Sequence, residues 1–148
     1  MAYAAEHLTS RSERRMVDYD IDDAANLVVL DPATGDKCLP VNQFRRFIVG
    51  LFRSVGTGGV TTLKIIAATS AAGAGAVAVV TKTPTTADAV GDTVWAECNV
   101  EQIHEALATA THVGVEIDLV TTTDECVVFF ERAEPMFPRA DLTANYIA

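Results

Sequence analysis

The amino-acid sequence predicts a mainly β protein: an antiparallel β-sandwich or small barrel with one short α-helix and an extended arm at each end. Three observations carry this expectation. Val113, Val115, Ile117 and Leu119 fall on one face of a segment whose other face holds Glu116 and Asp118, the period of two that marks a strand with one buried side. Beyond Thr121-Thr122-Thr123-Asp124, Cys126, Val128 and Phe130 alternate with Val127 and Phe129 between Glu125 and Glu131. Residues 113–132 therefore read as a β-hairpin. Ala, Val, Thr and Gly dominate while aromatic residues make up 7% of the chain, which suits closely packed sheets of small side chains.

At 148 residues the chain is expected to form one domain that buries roughly two thirds of its unfolded surface. Residues 1–25 have little apolar periodicity, with Arg11, Arg14 and Arg15 followed by the acidic stretch 18–23. They read as an N-terminal arm. Residues 26–132 read as the β-rich core domain, and 133–148, with Pro135 and Pro138, as a C-terminal arm.

Within the core, 26–30 reads as a short strand and 31–36 as a turn, with Pro32 and Gly35 where turn chemistry wants them. In 43–55, Phe44, Phe47, Ile48, Leu51 and Phe52 fit helical spacing, yet a strand buried on both faces would look the same. The β-branched and aromatic content and a central Gly50 favour the strand. A glycine turn at 56–59 leads to a strand over 60–69 with Leu63, Ile65 and Ala67 on one face, then a loop at 71–75 and a strand at 76–81. A polar connection over 84–92 precedes a strand at 93–98 carrying the sole tryptophan, Trp95. Asn99 is placed to cap a helix, with Gln102 three residues on to complete a capping box. The helix is expected to run about three turns, burying Val100, Ile103, Leu107 and Ala110 and exposing Glu101, Gln102 and Glu105.

Composition excludes several partner classes. A net charge of −9 and a pI near 4.6 oppose nucleic-acid binding, because Lys and Arg must replace the counterions of a phosphate backbone. The basic groups Arg11, Arg14, Arg15 and Arg45, Arg46, Arg53 lack interleaved aromatic platforms and read as salt-bridging or solvated faces. Cys38, Cys98 and Cys126 are odd in number, and 1–15 has no apolar leader segment. Reduced thiols made in a cytoplasm are the expectation. Residues 65–81 are uncharged between Lys64 and Lys82, but the run is short and diluted by Thr69, Ser70, Gly73 and Gly75, so it reads as two strands and a loop and no membrane span is expected.

Asp18, Asp20 and Asp22 have the opening spacing of a calcium loop, but Asp23 stands where Gly is required and Val29 where the bidentate Glu belongs, leaving only loose calcium binding open. Glu101 and His104 form a single Glu-x-x-His pair, insufficient for a di-iron site. Ala108 stands where a zinc-protease helix starting at His104 and Glu105 needs its second His. The 56–59 and 73–75 glycines lack the Lys-Ser/Thr of a phosphate loop, and Ser10, Ser12, Ser54 and Ser70 lack a nucleophile elbow. No catalytic, cofactor-binding or metal-ligating residue is expected, and no enzyme.

From about residue 44 to 132 the order of signals resembles small structural proteins of tailed bacteriophages, of the head or decoration type. The pieces that carry the resemblance are Leu63-Lys64-Ile65-Ile66-Ala67, Ala89-Val90-Gly91-Asp92-Thr93-Val94-Trp95, Val100-Glu101-Gln102-Ile103 and Val113-Gly114-Val115-Glu116-Ile117. The resemblance implies a non-enzymatic capsid cement or decoration protein on the virion surface, made in the host cytoplasm. It would bind and stabilise the lattice of the major capsid protein, often as a homotrimer. The alternative is a carbohydrate- or ligand-binding β-module on a tail or fibre, with Trp95 and Tyr19 as sugar platforms.

Overall fold

The computed structural model describes residues 12–20, 26–56, 60–84, 89–120, 124–135 and 145–147. In chain order its elements are β1 (Ser12–Asp20), β2 (Asn26–Leu27), β3 (Cys38–Pro40), β4 (Phe44–Val55), β5 (Val60–Ala68), β6 (Val77–Lys82), β7 (Thr93–Asn99), α1 (Val100–Ala106), β8 (His112–Leu119), β9 (Glu125–Pro135) and β10 (Asn145–Ile147). Sheet I has the order β10-β1-β9-β4-β7; its pairs are antiparallel except that β10 runs parallel to β1. Sheet II has the order β8-β5-β6, with β2 and β3 following one another along the far edge of β8, all antiparallel.

The architecture is the sandwich of the two alternatives. Phe47, Val49 and Leu51 of β4 and Cys126, Val128 and Phe130 of β9 bury against Leu63, Ile65 and Ala67 of β5 and Val113, Val115, Ile117 and Leu119 of β8 in one continuous core. Each large apolar side chain so buried contributes about 1.5–3 kcal/mol relative to exposure. The segment 43–55 is a strand, as its residue types favoured. Asp31 and Asp36 bridge across a turn in which Gly35 takes φ 79°, a conformation that favours glycine.

The chain passes from sheet I to sheet II through α1, which lies against β4 and β7 on one side and β5 and β6 on the other. The capping box forms: Gln102 N–H donates to Asn99 Oδ1 (2.8 Å) and Asn99 N–H to Gln102 Oε1 (3.0 Å). Val100 and Ile103 are buried, and Glu101, Gln102 and Glu105 exposed. The helix is shorter than its apolar spacing predicted, ending after seven residues. Thr111 explains the early stop, since its N–H donates to the Ala68 carbonyl (3.0 Å) and its hydroxyl to the Thr69 carbonyl (2.9 Å), drawing the chain onto the end of β5.

Two further expectations are corrected. The 113–132 segment is not a hairpin: β8 pairs with β2, β3 and β5 in sheet II, whereas β9 pairs with β1 and β4 in sheet I. Both strands have the predicted buried faces, but those faces meet across the core. Alternation specifies a buried side and says nothing of which edge accepts the hydrogen bonds.

The arm boundaries also move. Ser12–Asp20, placed in the 1–25 arm, is a full strand paired with β9 from Ser12↔Ala133 to Asp20↔Glu125, while 133–135 continues β9. Charge hid the strand. Val17 and Tyr19 are its buried apolar positions, and three of its charged side chains find ionic partners: Glu13 joins Arg15 (2.6 Å) and Arg132, and Arg14 joins Glu131 (3.3 Å). Arg132 also lies over the Phe44 ring, 4.7 Å from its centroid, and donates to the Pro40 carbonyl (2.6 Å). Residues 1–11 and 136–144 lie outside the described residues.

Candidate functional site

Sheet I presents to solvent the side chains that its inner face leaves behind. Register aligns Met16 of β1, Phe129 of β9, Gly50 of β4 and Trp95 of β7 in one row across four strands. The next row aligns Asp18, Val127, Phe52 and Thr93, and the row on the other side Arg14, Glu131, Ile48 and Glu97. Met16, Ile48, Phe52, Val127 and Phe129 are half-buried, and Trp95 is 48% exposed. An apolar, aromatic patch therefore occupies the middle of an otherwise solvated sheet.

Gly50 shapes this patch. A Cβ at that position would lie 2.6 Å from Cζ3 and 2.7 Å from Cη2 of Trp95, so the missing side chain lets the indole settle against the backbone of the neighbouring strand. Phe52 and Phe129 meet the indole edge-on, with ring centroids at 5.5 Å and 6.0 Å and interplanar angles of 86° and 62°. Such contacts fix the orientation of the rings. Along one side of them runs a row of ion pairs: Arg46 with Glu97 (2.6 Å) and Glu134 (3.6 Å), and Arg14 with Glu131 (3.3 Å). A solvent-accessible aromatic centre bordered on one side by paired charges has the composition from which docking surfaces are built.

One end of the sandwich is held by a buried ion pair. Arg53 Nη2 lies 3.2 Å from Asp124 Oδ1, and both side chains are 0% exposed. Arg53 N–H donates to the Asp92 carbonyl (2.9 Å) and Gly91 N–H to the Arg53 carbonyl (3.0 Å). Gly56, at φ 110°, passes so close to Asp124 that a Cβ there would fall 1.8 Å from Oδ1. The pair thus ties the end of β4, the approach to β7 and the crossing from β8 to β9 into one unit.

The sequence-predicted residues are distributed as follows. Trp95 belongs to the patch, whereas Tyr19 is 3% exposed with its hydroxyl donating towards the carbonyls of Asn26 (3.4 Å) and Ile117 (3.3 Å), which removes it as a sugar platform. Asp18 and Asp20 lie along the extended β1, a geometry unlike the tight loop that wraps calcium; Asp22 is outside the described residues. No group of three His, Cys, Asp or Glu side chains among the described residues converges as a metal site. Glu101 and His104 are exposed on α1. Arg14, Arg15, Arg46 and Arg53 are all ion-paired, and Arg45 is exposed. The uncharged run 65–81 forms the end of β5, a loop and most of β6, and no helix among the described residues is long and apolar enough to cross a membrane.

The three cysteines are free thiols, each buried. Burial pushes Cys38 up to about 11 and Cys98 and Cys126 up to about 12. They stay protonated at neutral pH and serve as small apolar groups rather than nucleophiles.

Sequence pattern alone does not mark Phe52, Phe129 and Gly50 as site residues. Parity did place Phe129 and Val127 opposite the buried face of β9, but the row Phe129–Gly50–Trp95 joins segments far apart in the chain, and only strand register brings them together. No protein-family model matches the chain, and no curated protein matches it.

Proposed function

We propose that the protein is a non-enzymatic virion structural protein of the capsid cement or decoration type, which docks on the lattice of a major capsid protein and stabilises it. The observation that carries the reading is the Trp95–Phe52–Phe129 patch, a fixed aromatic surface on a rigid sheet with paired charges at its rim. The mechanism is passive. Binding to assembled subunits in preference to free ones shifts the equilibrium toward the intact shell, and a trimeric form over a three-fold junction would multiply that contact through avidity. The likeness to phage head proteins in the order of sequence signals supports the same assignment.

The test is binding of purified protein to capsids that lack it, followed by co-sedimentation. Trp95→Ala is expected to weaken binding about 30-fold or more, the effect of removing a central aromatic anchor, while a melting curve reports an intact fold. Equal binding by Trp95→Ala and the parent would contradict the assignment of this face. A second reading, a glycan-binding module, is favoured by one feature: exposed Trp95 stands in the same strand as Glu97, itself paired with Arg46, and a sugar ring can stack on an indole while its hydroxyls take such polar partners. Quenching of tryptophan fluorescence across a glycan panel, with no affinity for capsids, would move the assignment to that reading.

A further inference from the structure

The charges around the Trp95 patch are unevenly matched. On one side stand the two guanidiniums of this face, and both are committed: Arg14 pairs with Glu131, and Arg46 is shared between Glu97 and Glu134. On the other side, strand parity sends Asp18 of β1 and Glu125 of β9 to the outer face of sheet I. Asp18 is exposed and Glu125 half-buried. Among the described residues no Lys or Arg pairs with either of them. A strand rises about 3.4 Å per residue, so Asp18 lies about 7 Å along β1 from Met16, and Glu125 about 7 Å along β9 from Val127. The two carboxylates therefore border the apolar patch with their charge uncompensated.

This polarity selects among occupants. A second copy, itself at a net charge of −9, is repelled by the same carboxylates, as is any phosphate-rich polymer or anionic bilayer. A neutral sugar stacks on Trp95 and leaves both carboxylates unanswered. A protein surface with apolar side chains at its centre and Lys or Arg beside them answers the rings and the charges together, because complementary potentials across an interface set both encounter and register.

We infer that the Trp95 face takes a basic partner surface: apolar side chains of the partner seat on Trp95, Phe52 and Phe129, and a Lys or Arg to one side of them pairs with Asp18 and Glu125. The inference rests on the docking role proposed for this patch and adds the charge of what docks there. On a capsid lattice the contact is a cationic stretch of the shell subunit. The aromatic rings supply the buried area, and the two carboxylates fix which way round the partner lies. Because these carboxylates stand at the border of the patch, they act through encounter rate and salt dependence more than through raw affinity.

Surface plasmon resonance on the full chain tests this with two probes: immobilised peptides of equal leucine content bearing Arg, Gln or Glu, and capsids that lack the protein. The parent is expected to prefer the Arg peptide, and to lose that preference from about 0.1 M to about 1 M salt, where the screening length shrinks from about 10 Å to about 3 Å. Asp18→Asn/Glu125→Gln is expected to weaken binding to the Arg peptide and to capsids about threefold or more, the effect of two exposed pairs, and to flatten the salt dependence. Glu101→Gln/Glu105→Gln removes the same charge from exposed positions on α1 and should bind like the parent; circular dichroism checks that both variants keep the fold. No preference for Arg over Gln, or an α1 variant that weakens as far as the patch variant, would overturn the inference. Capsid binding lost in Trp95→Ala but indifferent to salt and to Asp18→Asn/Glu125→Gln would overturn it while leaving the docking role intact. Capsids that ignore the parent, with the Arg preference still dependent on Asp18 and Glu125, would support the basic partner and remove the capsid as its identity.

Discussion

Asp124→Ala is expected to lower the free energy of unfolding by about 3–5 kcal/mol, the cost of leaving one member of a buried ion pair uncompensated. Arg53 and Asp124 are both fully buried, 3.2 Å apart, so removing the carboxylate takes the opposite charge away from a guanidinium that water cannot reach. The loss should spread, because Arg53 also anchors 91–92 through its backbone and Gly56 packs against Asp124. Urea denaturation measures it. The double variant Arg53→Met/Asp124→Val removes both charges and should recover most of the loss, since an apolar replacement of a buried pair is often neutral or better. A cost below about 1 kcal/mol for Asp124→Ala, typical of an exposed pair, would mean that the pair is solvated and that the three chain segments are held by other contacts.

Phe130→Ala and Phe129→Ala separate packing from binding on adjacent residues. Phe130 is fully buried in the core between the sheets, and its loss is expected to cost about 3–5 kcal/mol through lost burial and a cavity. Phe129, half-buried on the outer face against Trp95, should cost about 1 kcal/mol by contrast, a typical value for a substitution outside the core, yet weaken adhesion to the partner surface. Thermal melts and co-sedimentation together read both effects. A one-residue slip of β9 would exchange the two faces, so the opposite result, with Phe129→Ala the more destabilising, would contradict the register.

Much of this architecture was legible in local pattern. The alternation of Val113, Val115, Ile117 and Leu119, and of Cys126, Val128 and Phe130, names the buried faces correctly. Asn99 and Gln102 mark the start of α1, because a capping box needs only residues three apart. Pairing was not legible. Nothing in 113–132 distinguishes a hairpin from a crossing between sheets, and the decisive contact of Asp124 with Arg53 is made 71 residues away. The strand β1 was concealed for a related reason: Glu13, Arg14 and Arg15 resemble a solvated arm until Glu131 and Arg132 stand beside them.

The aromatic patch was half visible. Trp95 stands out as the sole tryptophan, but its setting depends on Gly50, whose absent side chain has meaning only once β4 and β7 are in register. Tyr19 shows the converse error, an aromatic read as a platform from composition and found in the core.

On the reading proposed above, this chain works by adhering to an assembled protein shell. Quantitative mass spectrometry of purified virions from the source of this sequence, scaled to the major shell protein, decides the matter. The chain is expected to be retained on washed particles in a fixed, lattice-scale proportion to the shell subunit. Its absence from particles, or its presence only free in the lysate, would overturn that reading.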